Sequence, residues 1–275
     1  MRRASCSRHF SKASRGLGRV WAEAALQRGD RVVATARDLS TLDDLVGSYG
    51  EDVLALELDV TDKTGGEAAI RKAADHFGRI DVLVNNAGYG VLGAVQEVTE
   101  EQFRAVVETN LLGPLWLCRA VLPVMRAQGG GHILQVSSQT AHFQVPTLGA
   151  YQLTKWGLEG FSESLAAEVA GHGIKVTIIE PEGYATDWGG SSLQVAEPLP
   201  EYAEVHAAVQ AMMAGIELGD PKATPAAVFA VVDAEAPPLR IFLGRTPQAI
   251  VKQTYAGRIA EWDAWEPVSV AAFGH

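Results

Sequence analysis

The sequence predicts a single α/β domain over residues 1–275, built on a doubly wound parallel β-sheet with helices on both faces. Three observations predict it. Short β-branched runs alternate with longer helical periods from about residue 30 onwards. The short runs are almost continuously apolar, as expected of strands buried on both faces. With 275 residues, 47% of them hydrophobic, the chain has material for one large core. Strand–helix alternation then implies right-handed βαβ units.

In chain order, strands are predicted at 31–36, 53–58, 80–84, 132–136, 175–179 and 239–243. Helical periods fall between them, at roughly 16–28, 66–77, 100–127, 150–171 and 224–234. The run ahead of them, Ser-Cys-Ser-Arg-His-Phe at 5–10, is more polar than a central parallel strand should be. Residues 184–222 form the least regular stretch, rich in Gly, Ser, Pro and Glu. Ligands of open α/β sheets bind beyond the carboxyl ends of the strands. This stretch follows a strand end, so it is expected to cover a substrate; the alternative is an ordinary surface excursion.

Composition excludes several classes. The chain has 23 Lys+Arg against 33 Asp+Glu, a net charge of −10. No global field attracts nucleic acid or an anionic membrane, and an anionic cofactor would need a local basic pocket. The N-terminus is basic but no apolar stretch follows, which argues against a signal peptide. No apolar run reads as long enough to span a bilayer, so a soluble cytoplasmic protein is expected. Cys6 and Cys118 lie far apart and outside any metal-ligand spacing, so two free thiols and no metal are expected.

The chemistry-bearing residues begin with Tyr151 and Lys155, four apart on one face of a predicted helix. A free tyrosine, with a pKa near ~10, is a poor acid or base at neutral pH. A neighbouring ammonium would favour the phenolate, and such a pair could exchange a proton with an alcohol or ketone oxygen. Ser138 lies upstream at the end of a predicted strand, where a hydroxyl could hold a carbonyl oxygen. Asn110 sits inside a long helix, where an amide needs partners. Asn85-Asn-Ala-Gly88 closes another strand with a turn that lets backbone approach a ligand.

In this order and combination, these elements resemble the short-chain dehydrogenase/reductase family over roughly residues 13–250. The resemblance implies a Rossmann-type fold and a catalytic tetrad of Asn110, Ser138, Tyr151 and Lys155. In that scheme Tyr151 is the general acid/base. Lys155 lowers its pKa and holds a ribose, Ser138 orients the substrate oxygen, and Asn110 holds a water that relays protons to Lys155. The implied cofactor contacts are Ser14, Arg15, Gly16, Leu17 and Gly18 at a phosphate turn, Asp59 and Val60 at the adenine, and Asn86, Ala87 and Gly88. Tyr151, Lys155, Pro181, Gly183 and Thr186 would contact the nicotinamide half. Ala36 occupies the position where an NAD-type acid would stand, and Arg37 follows it. With Arg15 this favours NADP(H) over NAD(H), since a guanidinium fork fits a phosphate.

Two departures bear on that cofactor. Lys12 stands where the first glycine of the family's phosphate turn belongs, and Glu182 separates Pro181 from Gly183. Lys12 is compatible with a tolerated substitution, an irregular N-terminus or an impaired cofactor site. Glu182 would bring a carboxylate near the nicotinamide or the substrate.

Gln139, His142, Phe143, Leu148 and Tyr89 are expected to line the substrate pocket, with Val91, Val145 and the 184–215 stretch beside them. The mixed lining suits a medium-sized, partly apolar ketone or secondary alcohol. The expected activity is NADP(H)-dependent interconversion of the two by hydride transfer. The alternatives are a non-redox cyclase, dehydratase or isomerase on the same fold, and a non-enzymatic cofactor sensor. The helices at 100–127 and 150–171 resemble those of the family's subunit interfaces, which implies a homodimer or homotetramer.

Overall fold

The computed structural model describes residues 7–10, 13–190 and 192–274. The expectations for Lys12 and Cys6 lie outside the described residues.

The main sheet has seven strands, all parallel. In chain order its strands are β1 (Ser7–Phe10), β2 (Arg31–Ala36), β3 (Val53–Glu57) and β4 (Val82–Asn85). After β5 (Val91–Leu92), which lies outside this sheet, come β6 (Gly131–Val136) and β7 (Ile174–Pro181). β8 (Gln194–Val195) pairs with β5 in a separate two-stranded sheet, and β9 (Arg240–Leu243) completes the main one. The spatial order is β3-β2-β1-β4-β6-β7-β9. It reverses direction at β1, so the crevice at the strand carboxyl ends opens between the turns that follow β1 and β4.

The described part of the polar run, Ser7–Phe10, is therefore a central strand, against the sequence expectation. Its polarity is compensated from a distance. Arg8 is fully buried, with Nε donating to Asp30 Oδ2 at 2.7 Å and its guanidinium over the Phe229 ring. The backbone amide of Ser7 donates to Asp81 Oδ2 at 2.8 Å. A buried charge is acceptable when so paired.

Strand side chains alternate between two cores. Val32, Ala34, Val82, Val84 and Leu134 face α1 (Gly16–Gln27), with Trp21 and Ala22, and α8 (Pro225–Asp233), with Val228 and Val231. Val33, Leu83 and Ile133 face the other layer, where α3 (Lys63–Phe77), α5 (Gly113–Ala127) and α6 (Gly149–Val169) supply Ile70, Leu117 and Leu165. Period-2 alternation with both faces covered explains the unbroken apolar runs.

Three helices were not read from the sequence: α2 (Asp43–Tyr49), α7 (Ala203–Ala214) and α9 (Pro247–Ala272). Thus the stretch at 184–222 is not wholly irregular; α7 lies within it. The predicted helix at 100–127 is α4 (Glu100–Val107) and α5, joined by a π-helical turn at Glu108–Leu112. Taken whole, Glu100–Ala127 is long and apolar enough to cross a membrane by length and composition alone. Its Leu117, Val121 and Met125 are buried in the core beside α3 and the sheet, which accounts for its apolar character.

Candidate functional site

The structure brings Asn110, Ser138, Tyr151 and Lys155 to one place at the carboxyl ends of β4 and β6. Tyr151 and Lys155 lie one turn apart on the buried face of α6. The Tyr151 phenol lies near enough to the Ser138 hydroxyl for Ser138 to favour its ionised form. Ser138 is held in turn by Thr140, whose amide donates to Ser138 Oγ at 3.2 Å. Lys155 Nζ donates to Val136 O at 2.8 Å and lies 5.6 Å from the centroid of the Tyr151 ring.

This geometry corrects one expectation. Burial pushes the Tyr151 phenol up to about 12, and Ser138 opposes that rise. Desolvating a phenolate outweighs other influences here, because the Lys155 ammonium is engaged by a strand carbonyl and sits beside the ring.

The π-turn aims Asn110 inward, where it is fully buried. Its Oδ1 accepts from Tyr89 N at 3.1 Å, and its Nδ2 donates to Tyr89 O at 2.9 Å and to Thr154 Oγ1 at 3.2 Å. The Thr154 hydroxyl donates to Tyr151 O at 2.6 Å, so Asn110 is linked to the helix that carries the phenol. The turn of Asn86, Ala87 and Gly88 packs directly on this group. A β-carbon on Gly88 would lie 3.2 Å from Asn110 Oδ1 and 3.6 Å from Lys155 Nζ, so glycine permits the close approach. Asn85 anchors the turn, donating from Nδ2 to Gln135 Oε1 at 2.9 Å. Cys118 accepts weakly from Asn85 and Gln135, and burial pushes its thiol up to about 12.

At the other strand switch, Ser14, Arg15, Gly16, Leu17 and Gly18 lead into α1. Gly16 has φ +61°, a left-handed conformation that glycine adopts without strain, and no side chain caps the helix start. Such a terminus presents backbone N–H groups and a positive dipole end to an anion. It borders an open cleft of about 450 Å³ lined by Gly16, Arg19, Val20, Ala185, Thr186, Asp187 and Pro221. Arg37, just beyond β2, is exposed; burial raises the nearby Tyr89 phenol, and Thr109 and then Arg37 partly oppose that rise. Asp59 accepts from Thr61 N at 3.0 Å in the turn before α3, and Val60 packs against Gly113. A turn without a side-chain cap, a cradle that a β-carbon would fill and an adjacent cleft fit a dinucleotide.

On the substrate side, Val145, Leu148 and Tyr151 form an apolar cluster with Leu92, Phe143 and Trp188. The Trp188 ring meets Tyr151 edge-on, with centroids 5.2 Å apart. The segment carrying Trp188 is held down by β8 on β5, with Gln194 N donating to Gly90 O at 2.9 Å and Ala196 N to Leu92 O at 2.8 Å. Glu97 fixes it again, accepting from Leu199 N at 2.8 Å and lying 2.8 Å from His206 Nε2. Burial alone would raise the Glu97 carboxyl, but the Leu199 and Ala94 amides and His206 outweigh it and hold it low.

Gln152, which the sequence reading missed, organises the loop after Ser138. Its Nε2 donates to Thr140 O at 2.9 Å and to Phe143 O at 2.5 Å, and its Oε1 accepts from Val145 N at 3.1 Å. The same loop contains Thr147 at φ +67°, a strained conformation for a β-branched residue. Gln139 opens the loop at the edge of this cluster.

Two sequence expectations are redirected. His142 does not face the apolar cluster. Its ring lies 3.0 Å from Glu180 Oε2 and 3.1 Å from the Tyr255 hydroxyl, toward β7 and α9. Glu182 faces the start of α9 rather than the nicotinamide side, accepting from Arg245 N at 2.9 Å and from the Thr246 hydroxyl. Pro181 ends β7, and Gly183 O accepts from Gly219 N at 2.9 Å.

Comparison with known proteins agrees with this geometry. The sequence profile of the short chain dehydrogenase family matches residues 12–195. Oxidoreductase BOA17 of Botryotinia fuckeliana is 42% identical over 269 residues, covering 94% of this chain and 96% of that protein. A short-chain dehydrogenase from Streptomyces avermitilis superposes with a TM-score of 0.92 at 38% identity, covering 99% of this chain and all of that one. A short chain dehydrogenase from Burkholderia cenocepacia in complex with NADP superposes at 0.74 with 27% identity, covering 94% of this chain and 97% of that one.

Proposed function

The chain belongs to the short-chain dehydrogenase family, and from that premise we propose that it is an NADP(H)-dependent oxidoreductase that interconverts a ketone and a secondary alcohol. The observation that carries the reading is the Tyr151 phenol, buried, beside Ser138 and bordered by apolar side chains. A phenol held near 12 keeps its proton at neutral pH. That proton can pass to a carbonyl oxygen as it becomes an alkoxide, while Ser138 holds the same oxygen.

The cofactor supplies the hydride when bound. The Ser14–Gly18 turn would hold its pyrophosphate, Arg15 and Arg37 its 2′-phosphate, and Asp59 and Val60 its adenine. Asn86, Ala87, Gly88 and Lys155 would hold the ribose of the nicotinamide half, with Pro181, Gly183 and Thr186 at the carboxamide. Arg37 supports NADP(H) because it is an exposed guanidinium next to the crevice mouth. The relative that binds NADP supports the same choice.

The substrate would be a medium-sized, partly apolar carbonyl compound lying against Phe143, Leu148 and Tyr89. The segment at 184–222 would cover it, with Trp188 over Tyr151. Leu153 and Trp156, exposed on α6, support a homodimer or homotetramer that buries this helix. A cytoplasmic setting suits the reading. Because Glu182 faces α9, it offers no support for an impaired cofactor site.

The test is a fluorescence titration with NADPH and NADH, followed by NADPH consumption across a panel of aryl and alkyl ketones. Tighter binding of NADPH and turnover of at least one ketone are expected. Failure to bind either dinucleotide at millimolar concentration would overturn the reading.

A further inference from the structure

Behind the wall that carries Ser138, three ligand-type side chains converge. His142 comes from the loop after Ser138, Glu159 from α6 and Glu180 from β7. One donor atom from each lies within 4.8 Å of the other two, and His142 Nε2 is 3.0 Å from Glu180 Oε2. Their relative exposures are 6%, 7% and 0%. His142 Nε2, Glu159 Oε1 and both Glu180 oxygens have no hydrogen-bond partner among the described residues. Glu180 is in ion-pair range of His142 and Arg240, yet none of these buried atoms makes a well-aligned hydrogen bond, and buried polar atoms are nearly always so paired, which leaves a place for a shared cation.

Charge balance points the same way. Arg240 Nε lies 2.9 Å from Glu159 Oε2 and 3.5 Å from Glu180 Oε1, and its guanidinium also pairs with Glu163. Three carboxyl groups surround one guanidinium, and burial and then the neighbouring Glu180 raise the Glu159 carboxyl, as expected where acidic groups crowd without enough positive charge. Arg240 engages Glu159 through Oε2, which leaves Oε1 turned to the cluster.

We propose that His142, Glu159 and Glu180 form a structural site for a divalent cation of the zinc type. One imidazole nitrogen and two carboxylate oxygens suit zinc better than calcium or magnesium, which take all-oxygen shells. Donors this close can converge on one ion at the usual ~2.0–2.2 Å. The Tyr255 hydroxyl, 3.1 Å from His142 Nδ1, is the outer contact that orients the ring and leaves Nε2 as the ligand. The cation would join the loop after Ser138, α6 and β7, and through Tyr255 it would reach α9. It would brace the pocket wall from behind and take no part in proton transfer.

The experiment starts from full-length protein treated with chelator, then titrated with Zn²⁺ in a calorimeter. One equivalent should bind and raise the Tm. X-ray absorption on the zinc complex should show one imidazole and oxygen ligands at ~2.0–2.2 Å, with no sulfur. Tyr255→Phe, on the exposed face of the structure, leaves all three ligands in place and should weaken binding about 10- to 100-fold. Glu180→Gln should abolish it. No uptake by wild-type protein would overturn the proposal and leave a proton on His142 as the occupant. So would a sulfur or multi-imidazole shell, or an affinity unchanged by Tyr255→Phe; these two readouts decide the matter even if Glu180→Gln does not fold.

Discussion

The side-chain amide of Asn110 clasps both backbone polar groups of Tyr89, accepting from its N–H at 3.1 Å and donating to its carbonyl at 2.9 Å. A residue inside a helix thereby fixes the turn after β4 that faces the crevice. The π-turn makes this possible, since the extra residue in the turn re-aims the side chain. Asn110→Ala should therefore destabilise the protein by about 2–4 kcal/mol in a denaturant melt, as three hydrogen bonds are lost and buried groups left unpaired. It should also weaken NADPH binding, because the turn of Asn86–Gly88 loses its brace. A melt superimposable on wild type would refute this.

Tyr151→Phe removes the hydroxyl beside Ser138 while keeping the ring against Trp188. Turnover should fall about 10²- to 10⁴-fold, the range for a general acid, with the thermal melt little changed. Ser138→Ala should lower kcat less, and both variants should bind NADPH normally. Steady-state kinetics beside circular dichroism reads all three quantities; turnover within tenfold of wild type for Tyr151→Phe removes the phenol from the chemistry.

Arg37→Ala should weaken NADPH binding about 10- to 100-fold and leave NADH binding nearly unchanged, since a charge-assisted hydrogen bond contributes about 1.5–3 kcal/mol. Paired fluorescence titrations measure the ratio. Equal losses for both cofactors would show that Arg37 does not meet a 2′-phosphate.

Glu182→Ala should lower stability by about 0.5–2 kcal/mol, the scale of a lost helix cap, with no change in cofactor affinity. The Glu182 carboxylate receives Arg245 N and the Thr246 hydroxyl at the start of α9, so its loss is felt there. A large drop in NADPH affinity would return Glu182 to the cofactor side.

His132 gives a pH signature. Its Nε2 lies 3.0 Å from Thr177 Oγ1, and the Thr177 hydroxyl donates to Pro238 O at 2.7 Å. Nε2 therefore carries the proton, and Nδ1 is buried without a hydrogen-bond partner among the described residues. Burial first, then Lys175 and Arg8, push the ring down to about 4 from 6.5. The unfolded chain takes up a proton between these values that the folded chain refuses. Stability should fall as pH drops from about 6.5 and level off below about 4, by no more than ~3 kcal/mol. His132→Phe should flatten that part of a urea-melt pH series; an unchanged slope would assign it elsewhere.

Much of this was legible because it depends on local spacing. Tyr151 and Lys155 share a face because they are four apart in a helix, and Ser138 reaches the site because it ends a strand. What remained hidden depends on distant partners. β1 looked too polar because the acid that balances Arg8 is Asp30, on the far side of α1. α9 carries no clear apolar stripe, and Trp262, Trp265 and Phe273 are exposed, so its sequence lacks the periodic signal of a core helix. The direction of Glu182 follows from the pairing of β7 with β9, and that of Trp188 from the pairing of β5 with β8. No spacing rule contains either.

Because β1 lies between β2 and β4, it is the seam that joins the two halves of the sheet. Its neighbours on one side arrive soon afterwards in the chain, while those on the other arrive only after α3. The cleft beside Gly16 and the pocket around Tyr151 therefore flank the same four-residue strand, and damage to it would part the two halves of the candidate site rather than trim an edge. The charged Arg8 at the heart of that seam adds a buried ion pair with Asp30 to the backbone pairing that holds it.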